Sequence, residues 1–129
     1  MTEFSVETRE EGGAVVIDVQ GRVDAFLVTK IREVINEFIQ QEKILLIIHF
    51  KRVAQINSTA LGILIGRLRR VRMHGGDIKI VELSPEIRRV FDVMGASRIF
   101  DIHDTVESAR LAFGLDPLPA AASSAAPPV

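Results

Sequence analysis

The stretch KILLIIHF, residues 43–50, constrains the fold more than any other part of this chain. Its apolar core, ILLII at 44–48, has strand length and no polar alternation, which suits a central strand buried on both faces. It is also far too short to span a bilayer, which takes about 20 apolar residues in a row. Upstream, RVDAFLVTKIREVINEFIQQ (22–41) changes to a helical period. Phe26, Ile31, Val34, Ile35, Phe38 and Ile39 recur on one side, while Lys30, Glu33 and Glu37 take the other. A strand, a helix and then a strand buried on both sides is a crossover pattern, so part of the sheet is expected to be mixed or parallel.

The remaining elements follow from local signals. FSVETR (4–9) alternates, EEGG makes a polar turn, and AVVIDVQG (14–21) is β-branched and closed by Gly21, so the two read as a hairpin. Asp24 is suited to cap the first helix. A second helix fits 58–74, stopped by Gly75-Gly76, and DIKIVEL (77–83) is a further core strand. SPEIRRVFDVMG places Ser84 as cap, Pro85 at the first helical position and Glu86 in the first turn. Its apolar set is Ile87, Val90, Phe91 and Met94. SRIFDI reads as a short last strand, and DTVESARLAFG as a last helix capped by Asp104 or Thr105 and stopped by Gly114. The expectation is one α/β domain over residues 1–115, with a mixed sheet of about five strands and about four helices. Residues 116–129, rich in Ala, Ser and Pro, are expected to form a flexible tail.

Composition excludes several classes. With no cysteine in 129 residues, disulfides, thiolate metal sites and thiol nucleophiles are ruled out. The balance of 16 basic and 17 acidic side chains lacks the basic excess of a dedicated nucleic-acid binder, and the aromatics are all Phe. The acidic start, MTEFSVETRE, does not resemble a signal peptide, so a cytoplasmic location is expected. His49, His74 and His103 are scattered. His49 reads as a hydrogen-bonded core residue, and the Asp101, His103 and Asp104 cluster as helix capping. No metal site, no catalytic residues and no phosphate-binding glycine loop are legible, so the chain does not read as an enzyme. Arg67, Arg69 and Arg70 lie off the apolar stripe and read as a solvated face.

Asn57-Ser58-Thr59 stands out as a polar interruption in RVAQINSTALGILIG (52–66). It matches a glycosylation sequon, accidental without a secretory signal. In the helix that follows, Leu61, Leu64, Ile65, Leu68 and Val71 form the core stripe. Ser58, Gly62 and Gly66 fall beside it, with Ile63 further round. Two glycines inside a helix cost about 1 kcal/mol each relative to Ala, which suggests a face that another protein approaches closely, or a helix crossing. One cap needs one residue, and here three candidates stand in a row. A spare hydroxyl at a helix N-terminus also favours a phosphate, through free N–H groups and the helix dipole.

Four stretches resemble the STAS domain family, especially the bacterial anti-sigma factor antagonists. VVIDVQGRVDAF resembles the second strand and the G-x-[LV]-D turn, here Gly21, Val23 and Asp24. LLIIHFKRVAQINSTALGILIGRLRRVRMHGG is similar to the signature strand, loop and helix. IKIVELSPEIRRVFDVMGASRIFDI and DTVESARLAF resemble the elements that close the domain. The resemblance spans about residues 3–114. It implies a phosphorylation-controlled partner switch that, unphosphorylated, binds an anti-sigma factor which is also a serine kinase, and so releases the sigma factor. Ser58 is the implied acceptor and Thr59 the second choice, with a phosphatase reversing the change. ATP and Mg²⁺ would belong to the kinase, leaving this chain without a cofactor. The implied partner-binding face comprises Asp24, Asn57, Ser58, Thr59, Gly62, Ile63 and Gly66. Asn57 and Ala60 stand where the family usually has Asp and Gly, and Ala60 would bring a methyl group to the partner face. The alternative readings are a scaffold STAS domain of a stressosome-like complex and a cytoplasmic STAS subunit of an ABC-type lipid transporter. Direct nucleic-acid binding is not expected, and a homo-oligomer is left open.

Overall fold

The computed structural model describes residues 4–118. Five strands lie side by side in chain order: β1 (Ser5–Glu11), β2 (Ala14–Val23), β3 (Leu45–Ile56), β4 (Asp77–Val81) and β5 (Asp101–His103). β1 and β2 are an antiparallel hairpin, and every later pairing is parallel. The parallel steps are made through α1 (Ala25–Gln40), α2 (Ser58–Met73) and α3 (Pro85–Val93), and α4 (Val106–Ala112) follows the last strand. Strands that advance in one direction with crossovers of one hand carry their helices on one face. α1, α2 and α3 accordingly share a core with Val15, Ile17, Leu46, Ile48 and Ile80 of the sheet. The smaller core on the other face joins Ala109 of α4 to Val16, Ile47 and Val81. β3 therefore supplies both cores, as its continuous apolar run requires. The last part of the expected tail, from residue 119, lies outside the described residues.

Several expectations are corrected. β3 does not end at Phe50 but runs on through KRVAQI to Ile56. Its register with β2 slips between Asp18 and Gln20, and again between Gly21 and Arg22, with the extra residue on β3 each time. These bulges put Phe50, Val53 and Ile56 into the same core at a spacing of three. SRIF is not strand: Ala96–Arg98 form a 3₁₀ turn entered through Gly95 at φ 75°, and only Asp101–His103 pair with β4. β4 stops at Val81 because Glu82 takes φ 59°. Met94 is exposed, and Arg67 is partly buried where its guanidinium donates to Asn36 Oδ1 of α1 at 2.6 Å. The caps fall as the sequence implies, with Asp24, Ser84 and Thr105 each accepting from backbone N–H groups of the following turn.

The face under α4 is held by charge as well as packing. Arg110, 2% exposed, donates to the carbonyls of Glu11, Gly12 and Asp116 and to Glu107, so it ties the hairpin turn to the end of α4. The Lys79 ammonium lies 4.5 Å from the Phe113 ring centroid and donates to Asp101 Oδ2 at 2.7 Å. His103 Nε2 meets the same Asp101 oxygen at 2.8 Å. Burial works against the ionised form of Asp101, but the hydrogen bonds and charges of Lys79 and His103 outweigh it and hold the carboxyl below its ordinary 3.8.

Two outcomes follow from these contacts. A Cβ at Gly76 would stand 2.1 Å from the Ile44 carbonyl oxygen, a backbone atom that cannot rotate away. Gly76→Ala should therefore cost about 2–3 kcal/mol, seen as a lower urea midpoint with an unchanged slope. Because the Asp101 carboxyl is depressed in the folded state, its contribution is complete above about pH 4 and is lost as pH falls through the folded value. Asp101→Asn should lower stability at neutral pH and flatten the acid limb of a stability–pH curve.

Candidate functional site

Because β2, β3 and β4 are parallel, α1, α2 and α3 all begin at the same edge of the sheet, where open α/β sheets place their sites. The starts of α1 and α2 are joined directly: the Asn57 N–H donates to the Val23 carbonyl at 3.3 Å, one residue before Asp24. Asp24 Oδ1 caps α1 by accepting from the N–H groups of Phe26 and Leu27 at 3.1 and 3.0 Å. Asn57 Oδ1 caps α2 by accepting from the Ala60 N–H at 2.8 Å, and the Leu61 N–H reaches the Asn57 carbonyl at 3.0 Å. One residue of the polar triplet is thus used as the cap. Ser58 and Thr59 are the first two helical residues, and both are exposed. Their N–H groups have no carbonyl to reach within the helix. Among the described residues no hydrogen bond engages the Ser58 hydroxyl.

The two glycines continue this face along α2. Among the described residues an added Cβ at Gly62 or Gly66 would meet nothing within 4 Å, so neither serves a helix crossing there. Ile63 is only half exposed and packs partly against the main core, so its outer edge alone belongs to the face. Ile65 is likewise half-buried. Ala60 is fully buried, so its methyl group points into the core and not toward a partner.

A groove of about 360 Å³ opens beside the triplet, lined by Arg22, Asp24, Gln55, Asn57, Glu86 and Val90 among others. The sequence reading missed the contribution of α3 and of the end of β3. The Ser84-Pro85 start was visible, but its meeting with Asn57 depends on the strand order. The carboxylates of Asp24 and Glu86 both stand at helix N-termini, where the dipole favours them. The arrangement has no nucleophile–base pair. It offers a free hydroxyl, a flat helix face and an adjoining groove, which are the parts of a modifiable docking surface.

Comparison with known proteins identifies the family to which this fold belongs. The family model described as STAS domain matches residues 5–109. The anti-sigma-B factor antagonist of Bacillus subtilis (strain 168) is 29% identical over 99 residues, covering 77% of this chain and 90% of that protein. A solved anti-sigma factor antagonist from Mycobacterium paratuberculosis superposes with a TM-score of 0.77 at 20% identity, over 87% of this chain and 95% of that one. The Bacillus cell fate determinant SpoIIAA, solved in its phosphorylated form, gives 0.63 at 26% identity, over 85% and 97%. With the family model matching most of its length and its sheet, helices and loop in the corresponding order, the chain belongs to the STAS domain family.

Proposed function

We propose that this protein is an anti-sigma factor antagonist whose binding is switched by phosphorylation of Ser58. In the unmodified state the start of α2, the Gly62 and Gly66 face and the groove along Asp24 and Glu86 receive an anti-sigma factor that is also a serine kinase. That kinase transfers the γ-phosphoryl group of its ATP to the Ser58 hydroxyl, and a phosphatase removes it. The protein acts by binding and needs no cofactor of its own. The observation that carries the reading is the division of labour in the triplet: Asn57 alone makes the cap, which leaves the exposed Ser58 hydroxyl unengaged. The antagonist relatives support the partner class, and the phosphorylated form of SpoIIAA supports the type of modification.

Asn57, in the position usually held by Asp, keeps the capping oxygen while removing a charge. A phosphate of roughly −2 charge at the first helical residue would gain from the free N–H groups and the dipole. The same charge would stand near Asp24 in the middle of the docking face and repel an acidic or apolar partner surface.

Incubation with the cognate kinase and ATP should add one phosphate to residues 58–59, read by mass spectrometry. Ser58→Asp should weaken binding to that kinase by roughly a hundredfold or more, while Ser58→Ala binds but is not modified. Modification elsewhere, or none by a proven binding partner, overturns the switch. Stable, ATP-insensitive co-purification with a large complex or a permease would instead support the scaffold or transporter-subunit reading. Gly62→Ala and Gly66→Ala separate folding from binding. Each should stabilise the free protein by about 1 kcal/mol, because the added methyl meets open space, and each should weaken the complex. Thermal unfolding and titration calorimetry on the same samples check both halves.

A further inference from the structure

The sheet face opposite α1–α3 is covered by α4 beside β3, β4 and β5, while a cavity of about 300 Å³ stays open over β1, β2 and the middle of β3. His49 stands on this face, expected in the core but in fact half-buried between two carboxylates. Its Nδ1 is 2.7 Å from Asp18 Oδ1 and its Nε2 is 2.5 Å from Glu82 Oε2. An ionised carboxylate can only accept, and a neutral imidazole carries one N–H. Both contacts made together therefore need one proton beyond the neutral ring with two ionised carboxylates. When that proton passes to water, one contact turns a nitrogen lone pair toward a carboxylate oxygen and opens.

The two contacts are not equally anchored. Asp18 is also paired with Arg9 of β1, whereas the Glu82 carboxylate has no other ion pair among the described residues. Glu82 holds φ 59°, a conformation that L side chains rarely adopt, and its N–H donates to the His103 carbonyl at 3.2 Å. It stands two residues before Ser84, the cap of α3, whose first turn lines the groove beside Asn57. We propose that Asp18, His49 and Glu82 form a proton-operated latch that fixes the entry to α3 and links the open sheet face to the groove at the far end of the strands.

The charged neighbours come from β1, β3, β4, β5 and α4. Glu7 and Arg9 of β1 and Lys51 and Arg52 of β3 line the cavity with His49. Lys79 of β4 is paired with Asp77 and Asp101, the His103 ring of β5 is engaged by Asp101 and Ser108, and α4 faces this side with Val106, Ala109 and the buried Arg110, itself paired with Glu107. With the latch closed, Glu82 is held and the Ile87 N–H stays on Ser84 Oγ at 3.2 Å. With it open, the N–H bond to the His103 carbonyl is what remains to hold Glu82 at its positive φ, and the α3 entry shifts. The latch rests on the proposed function only for the identity of what enters the groove, because α3 itself reports the change.

The test is nitrogen-15 NMR on the full chain, following the His49 ring and the amides of Leu83, Ser84, Glu86 and Ile87 across a pH series that spans the ring's protonation. The amides should move with the same midpoint as the ring, and Ile87 should lose roughly tenfold in exchange protection on the alkaline side. Glu82→Gln supplies both a donor and an acceptor, so the contact survives in either ring state. That variant should retain the His49 titration and lose the response of α3. Wild-type α3 amides that do not follow the ring, or an unchanged response in Glu82→Gln, overturn the latch; if the variant does not fold, the wild-type titration decides. Failure of Ser58 modification with a linked titration sinks only the switch, and the converse result sinks only the latch.

Discussion

The constraint on which the rest depends is that β3 must be paired along both edges and buried on both faces. Leu46 and Ile48 face the three crossover helices while Ile47 faces α4, so the strand cannot slip by one residue without exchanging its two cores. Parallel neighbours on either side then oblige the chain to return over the sheet each time, which fixes α1, α2 and α3 and aligns their first turns at one edge. The site is a consequence of that alignment. Asp24, Asn57 and Ser84 are remote in sequence, yet each caps a helix that starts where a parallel strand ends.

Much of this was legible because the signals were local. A cap next to an apolar period, a Pro at the first helical position and a Gly at positive φ act over three or four residues, and those assignments agree with the structure except at Gly21, which takes φ 109° without closing β2, a strand that runs on to Val23. The second half of β3 was not legible for a definite reason. Two bulges convert the strand's period of two into a spacing of three at Phe50, Val53 and Ile56, a pattern that matches neither strand nor helix over so short a span. SRIF was misread because Ile99 and Phe100 look like strand residues, although Gly95 turns the chain first and Phe100 is buried against Phe91. At the site, the triplet and the glycines could be found from spacing alone. The inward direction of Ala60 and the partial burial of Ile63 depend on the rotation of α2 against its core. The part played by α3 depends on strand order, which no short stretch records.

The two faces of the sheet are built on different physics. The core under α1–α3 is apolar and is completed by the edge-on ring pair Phe50 and Phe91, 5.7 Å apart. The opposite face carries two polar groups, Arg9, Asp18, His49 and Glu82 across β1 to the end of β4, and Lys79 with Asp101 beneath α4. Apolar packing of the first kind is insensitive to pH and salt. The second kind responds to both, so solution conditions act on this protein mainly from the α4 side.

Gly62 and Gly66 have a consequence for anyone who sets out to improve this protein. Each is an exposed helical position with empty space where a methyl group would go, which any stability criterion marks for replacement by alanine. A library sorted for heat resistance or yield would enrich those changes early and report them as gains. The same variants would carry a ridge along the helix where the native chain is smooth, so under the docking mode proposed above selection for a sturdier fold would erode recognition without any warning from the folding data.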